Sequence, residues 1–145
     1  MTEGPEEASS AYPAETGKIF IVEDGSGVPG ATSYLSILQA DEYHGPRLNS
    51  VWINAQPAEK EKALIEASRY LEEEFGHKWV GFRRYYYQGL GWPRYGARNG
   101  LGERIEGIPR GVLRAAAEAA LGFLRGKTFP WAETARFIQP YIEKY

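Results

Sequence analysis

Between Phe82 and Gly100 the chain reads FRRYYYQGLGWPRYGARNG, which interleaves Arg83, Arg84, Arg94 and Arg98 with Tyr85, Tyr86, Tyr87, Trp92 and Tyr95. Guanidinium groups neutralise phosphates and aromatic rings offer faces for unpaired bases, so this mixture is the chemistry of single-stranded nucleic-acid binding. The same residues serve a structural role as well: loop aromatics bury area against helices, with arginines stacked on rings. Composition leaves both readings open. The charge pattern sharpens the question, because residues 76 to 125 hold nine basic groups against three acidic ones, while residues 1 to 24 hold six acids against Lys18. Like charges gathered within a Debye length of roughly 8 Å add their fields, so the basic region suits phosphates or an acidic protein surface.

Other chemistries fail on spacing. Gly25, Gly27 and Gly30 form a G-x-G-x-x-G run after an apolar segment, the pattern of a dinucleotide-binding turn. Pro29 removes an N–H that a pyrophosphate would need, no helix signal opens after Gly30, and the chain lacks alternating strands and helices. The glycines therefore read as a turn. Gly122 to Thr128 has three residues between its glycines where a P-loop has four, and it closes a helix where a P-loop opens one. His44 and His77 are separated by 32 residues and lie in separate segments, which gives no metal-ligand pair, and the absence of Cys removes thiolate sites. Glu72, Glu73 and Glu74 are consecutive helix positions that point in different directions, so they read as a solvated face. With two histidines there is hardly a choice of base for a catalytic triad. The expectation is a protein that is not an enzyme and carries no cofactor or metal.

The elements that must position the basic loop follow from periodicity and capping. Lys18 to Val22 is a short, β-branched apolar run ended by Glu23, Asp24 and Gly25, and Ala31 to Leu35 can return beside it, so a short N-terminal β-hairpin is expected. Ser36 with Gln39 three residues on matches a capping box and starts a short helix that Gly45 and Pro46 stop. Pro57 pre-sets a first turn, and Leu64, Ala67, Leu71 and Phe75 recur at spacings of three and four, which predicts an amphipathic helix over 58 to 74. Residues 76 to 107 contain eight glycines and no helical period, so they form a long extended region with room for paired strands. Ile108-Pro109 opens the second amphipathic helix, whose stripe of Val112, Leu113, Ala116, Ala119, Ala120, Phe123 and Leu124 runs to Gly126. Its alanines permit close approach of another helix or of another subunit.

Length and composition set the frame. With 145 residues, 43% hydrophobic and 25% charged, the chain is one folded domain of ordinary composition. The acidic beginning differs from a secretory signal, and no apolar run approaches a membrane span, so neither membrane insertion nor that export route is expected. Residues 1–16 read as an acidic flexible N-terminal arm, 17–126 as a helical domain, and 127–145 as a C-terminal docking tail. In that tail Phe129, Trp131, Phe137, Ile138, Tyr141 and Ile142 are the candidate anchors for a partner groove. The fold class is mainly α: a small helical bundle with an N-terminal hairpin and a long aromatic, Gly-rich loop.

The segments IVEDGSGVPGATSYLSILQADEY, KEKALIEASRYLEEEF, KWVGFR, YQGLGWPR and IPRGVLRAAAEAAL, in this order, resemble the small tailed-phage proteins labelled DnaT-like ssDNA-binding, over about residues 19 to 126. That family is similar in role and architecture to the head-to-tail adaptors, or connectors, of the phage neck. The resemblance implies a mainly helical subunit that assembles as a twelve-membered ring under the portal. Such a ring lines the channel for double-stranded DNA, receives a stopper or tail-completion protein, and resides in the virion neck after synthesis in the host cytoplasm. Two departures from the family pattern stand out: His44-Gly45-Pro46 interrupts a helix, and the stretch from Tyr95 to Gly107 is long and rich in Gly and Arg. The first expectation is thus a structural adaptor that meets portal through its tail. The alternative is a single-stranded nucleic-acid-binding module built on residues 82 to 98. Arg83, Arg84, Arg94, Arg98, Tyr86 and Trp92 are the candidate contacts to DNA or to neighbouring subunits in either case.

Overall fold

A computed structural model describes residues 19–127 and 132–143. The proposed arm at 1–16, and Phe129 and Trp131 of the tail, lie outside the described residues. The described chain is mainly helical: α1 (Ile37–His44), α2 (Ser50–Ile53), α3 (Pro57–Phe75), α4 (Arg110–Leu124) and α5 (Ala132–Ile138), with single 3₁₀ turns at Gly76–Lys78 and Gln139–Tyr141. Its two-stranded antiparallel sheet, β1 (Phe82–Arg83) with β2 (Arg94–Tyr95), lies inside the long glycine-rich region.

Local signals place the helix ends. The Ser36 hydroxyl accepts the Gln39 N–H at 3.1 Å while the Gln39 side chain accepts the Ser36 N–H at 2.8 Å, and together they satisfy two donors that a helix start leaves free. At the start of α3 the Gln56 N–H donates to the Glu59 carboxylate at 3.0 Å, across Pro57 at the first helical position. Pro109 precedes α4, and past its end Gly126 takes a φ of +73°, a left-handed conformation that costs glycine little.

The helices α3 and α4 pack together and form the centre. Leu64, Ala67 and Leu71 face Val112, Ala115, Ala116, Ala119 and Ala120, all but fully buried, and the small alanines let the two backbones approach closely. The alanine stripe therefore packs within its own chain. Trp52, Trp79 and Trp92 close the ends of this core, and their size makes them large contributors to burial.

Two expectations change place. The N-terminal hairpin is reduced to one isolated bridge between Val22 and Ser33, of parallel type, held by the Glu23 N–H on the Ser33 carbonyl at 2.8 Å. The reason is Glu23, which is buried and turns its carboxylate back onto the turn: Oε2 accepts the N–H groups of Gly25 (2.8 Å) and Gly27 (2.9 Å), and Oε1 accepts that of Val28 (2.8 Å). The glycine run is thus an anion nest filled by the chain's own carboxylate.

The tail is the second. Ile138 is fully buried, Phe137, Tyr141 and Ile142 pack against the core, and α5 lies along α4. Beyond α5, the Val80 N–H donates to the Tyr141 carbonyl at 2.9 Å and the Glu143 N–H donates to the Lys78 carbonyl. These four anchors are taken up by intramolecular packing because Gly111 lets α4 come against the Phe137 backbone and the Tyr141 ring.

Candidate nucleic-acid interface

The long region between α3 and α4 folds into two small hairpins. In the first, Phe82 pairs with Tyr95 and Arg83 with Arg94. Alternation along paired strands sends neighbours to opposite faces. Phe82 and Tyr95 accordingly stand side by side toward solvent, 74% and 69% exposed. Arg83 and Arg94 serve the backbone behind them. Arg83 Nη1 donates to the carbonyls of Gln88 and Leu90, both at 2.8 Å. Arg94 donates to Val80 (2.7 Å), Gly81 (2.8 Å) and Gly91 (3.0 Å), and burial lowers its pKa from the usual arginine value.

The connection between β1 and β2 is pinned from within. Buried Gln88 donates to the carbonyls of Leu90 (2.8 Å) and Pro93 (2.9 Å) and accepts the Tyr85 N–H at 2.9 Å. Gly89 sits where any Cβ would overlap the backbone of Ala31, which brings the loop hard against the N-terminal turn. Trp92 is fully buried, edge-on to Trp79 and Tyr141 and joined to Pro93 by a cis peptide, and its backbone N–H donates to the Tyr34 hydroxyl at 3.3 Å. Tyr34 in turn donates to Glu72, and burial first, then the Glu72 charge, raises its pKa well above that of a free phenol. Of the six candidate contacts, Trp92 and Arg94 are thus structural: they build the platform without presenting a free ring or cation.

What the platform presents is Tyr86, 94% exposed, beside Tyr87, whose ring stacks on Tyr85 at 5.2 Å between centroids. Arg84 is exposed and lies near the Tyr85 hydroxyl, which raises its pKa.

The second hairpin runs through the insert. Arg98 and Arg104 form an antiparallel bridge around a tip in which Asn99 Oδ1 accepts the N–H groups of Leu101 (2.8 Å) and Glu103 (3.0 Å). Between the hairpins opens a cleft of about 240 Å³ lined by Arg84, Arg94, Tyr95, Arg98, Arg104 and Glu106, among others. Arg84, Arg98 and Arg104 are exposed, and among the described residues none forms an ion pair with a carboxylate. Arg98 also donates to the Gly102 carbonyl at 2.7 Å, and these three exposed arginines share the cleft with Tyr95, while Phe82 and Tyr86 are exposed on the first hairpin.

The sequence reading missed Arg104 and Phe82. The signal for Arg104 was the Asn99-Gly100-Leu101-Gly102 turn, in which the Gly102 N–H donates to the Asn99 carbonyl at 3.0 Å and Gly102 takes a φ of +80°, folding Arg104 back beside Arg98. Phe82 follows from Tyr95 once the register is known. Among the described residues no group of three or more His, Asp or Glu is placed to hold a metal ion, and no helix is long and apolar enough to cross a membrane.

No curated protein and no solved structure gives a match to this chain. A family match does exist, and it spans residues 19–141, from the N-terminal turn through both hairpins and all the helices. The chain belongs to the family described as "Putative DnaT-like ssDNA binding protein".

Proposed function

We propose that this protein binds single-stranded nucleic acid, without catalysing a reaction on it, through the cleft between its two hairpins. Arg84, Arg98 and Arg104 neutralise successive phosphates, and Phe82, Tyr86 and Tyr95 stack on unpaired bases. The observation that carries this reading is that the two hairpins present the exposed rings of Phe82, Tyr86 and Tyr95 together with three exposed arginines that lack a carboxylate partner among the described residues, Tyr95 lining the cleft with all three. Every base has a π-face, so such a surface is tolerant of sequence and selects against a duplex, whose bases are already stacked. The family's description concerns single-stranded DNA and agrees with it.

The adaptor expectation drew its lateral face from the alanine stripe and its portal anchor from the tail. The stripe and the described tail anchors Phe137, Ile138, Tyr141 and Ile142 are packed within this chain, so neither feature supports a ring, a portal contact or a stopper contact.

Fluorescence anisotropy with a labelled oligo(dT) of about 16 nucleotides, the upper end of the footprint of a small binding domain, tests the proposal. Saturable binding is expected, weaker for a blunt duplex of the same length. Tyr86→Ala combined with Tyr95→Ala should weaken it by at least about 30-fold, at about 1 to 3 kcal/mol per stacked base. Equal affinity for the duplex, or an unaffected double variant, would overturn it.

A further inference from the structure

Away from the loop cleft, α1 and the first half of α4 border an open groove of about 780 Å³. Arg47, Arg110 and Arg114 line it, together with the apolar Leu35, Leu113 and Ala117, and Glu42 is the one acid among its described lining residues. Its arginines come from separate parts of the sequence, and the fold brings them to one place.

Two of the three are held in position before any ligand arrives. Arg47 lies over the Tyr43 ring at 3.7 Å from its centroid, and its Nη1 donates to the Tyr43 carbonyl at 2.6 Å. Arg114 lies over the Phe137 ring at 5.0 Å, and its Nε is buried without a hydrogen-bond partner. Arg110 is exposed at the first turn of α4, where the unpaired N–H groups of the helix add to the positive field. None of the three forms an ion pair with a carboxylate among the described residues. Cations ordered before binding lower the entropic cost of binding an anion.

The lining also says which kind of anion. The ring at the groove, Tyr43, has a face covered by Arg47, and its hydroxyl donates to Glu118 at 2.5 Å, so a base finds no free platform there. The apolar residues, by contrast, match aliphatic or aromatic side chains. Guanidinium forks bind carboxylates in pairs of hydrogen bonds. From this complementarity we infer that the groove docks a short acidic peptide segment of a partner protein. The carboxylates of that segment sit on Arg47 and Arg110, and its apolar side chains sit on Leu35 and Leu113. This inference does not depend on the nucleic-acid reading.

The test uses a labelled ten-residue peptide alternating Asp or Glu with Leu or Phe, titrated by anisotropy against the full chain. Saturable binding is expected, weakened about tenfold or more by Arg110→Glu and by Arg47→Glu, each checked for an unchanged circular dichroism spectrum. Oligo(dT) should not compete, and Arg84→Glu with Arg98→Glu should leave peptide binding unchanged. Three results would overturn the inference: no saturation up to about 1 mM peptide, loss of peptide binding in the loop variants, or a loss of oligo(dT) affinity in Arg110→Glu equal to the loss for peptide. The last would make the groove part of the nucleic-acid surface. Failure of oligo(dT) to bind at all, with peptide binding intact, would leave this inference standing and sink the other.

Discussion

Replacing Glu23 with alanine should damage this protein more than any other single change at an acidic position. The carboxylate is buried and is the acceptor for three backbone N–H groups, those of Gly25, Gly27 and Val28, at 2.8 to 2.9 Å. A hydrogen bond to a charged group contributes about 1.5 to 3 kcal/mol net, and a donor left buried and unmet carries a penalty of similar size. Three bonds to one carboxylate are not additive, so the expected loss is about 3 to 4 kcal/mol. That is a large part of the 5 to 15 kcal/mol that holds a typical domain together. The melting temperature should fall by roughly 10 °C. Glu23→Gln should lie between, because one amide oxygen replaces the two oxygens that now share the donors.

The turn also supports the binding platform. The Val28 carbonyl accepts the Gly89 N–H at 3.1 Å, and Gly27 lies directly under the Tyr85 ring. Oligo(dT) affinity should therefore drop in Glu23→Ala at temperatures where the helices are still folded. Urea unfolding followed by far-ultraviolet circular dichroism measures the first effect, and anisotropy the second. If Glu23→Ala unfolds within about 1 kcal/mol of the parent, the account of the filled nest is wrong.

Three further outcomes follow from the packing. Ile138→Ala should destabilise the fold by about 2 to 5 kcal/mol, the range for emptying a buried aliphatic site, and unchanged stability in urea would restore the tail to a separate docking element. Arg94→Ala removes the donor to three carbonyls and should cost about 2 to 4 kcal/mol, whereas Arg84→Ala should stay within about 0.5 kcal/mol, so equal effects in thermal melts would refute the division between structural and presenting arginines. His44 is buried between α1 and α4, with Nε2 toward the Ala117 carbonyl at 3.0 Å and Nδ1 toward the Asn49 amide at 2.8 Å, and burial lowers its pKa from the ordinary 6.5 despite the nearby Glu118. The unfolded chain then binds the proton more readily, so stability should be full above about pH 6.5 and fall as the pH drops below it; a fall of the same size in His44→Gln over pH 7.5 to 5.5 would refute that assignment.

Much of the scaffold could be read from local signals because each is a short-range physical device. The Ser36 and Gln39 capping box, the proline starts and the three-four spacing of Leu64, Ala67 and Leu71 all specify structure within a turn or two of chain. Residues 76 to 107 were legible as extended but not in their register, since pairing Phe82 with Tyr95 depends on Gln88 and Gly89 meeting the N-terminal turn, a contact between distant segments. For the same reason arginines of identical type separate into two classes. Arg94 lies within β2 and turns to the backbone behind the sheet, whereas Arg84 lies one residue past the end of β1 and is exposed, and a one-residue offset reverses the side a residue faces. Trp92 and Tyr86 differ likewise, one fully buried and one 94% exposed. The tail was ambiguous because apolar side chains that pack a core and those that anchor a partner are the same residues. Gly111, against which Phe137 and Tyr141 close, decides it.

The most direct test of the central claim is the salt dependence of oligo(dT) affinity. Three phosphate contacts, from Arg84, Arg98 and Arg104, predict that the logarithm of the association constant falls against the logarithm of salt concentration with a slope of about −2, at roughly 0.7 per contact for a single strand. The triple variant with all three changed to alanine should flatten that slope toward zero while keeping its melting temperature. A parent protein with no slope, or a triple variant with the parent's slope, would contradict the account.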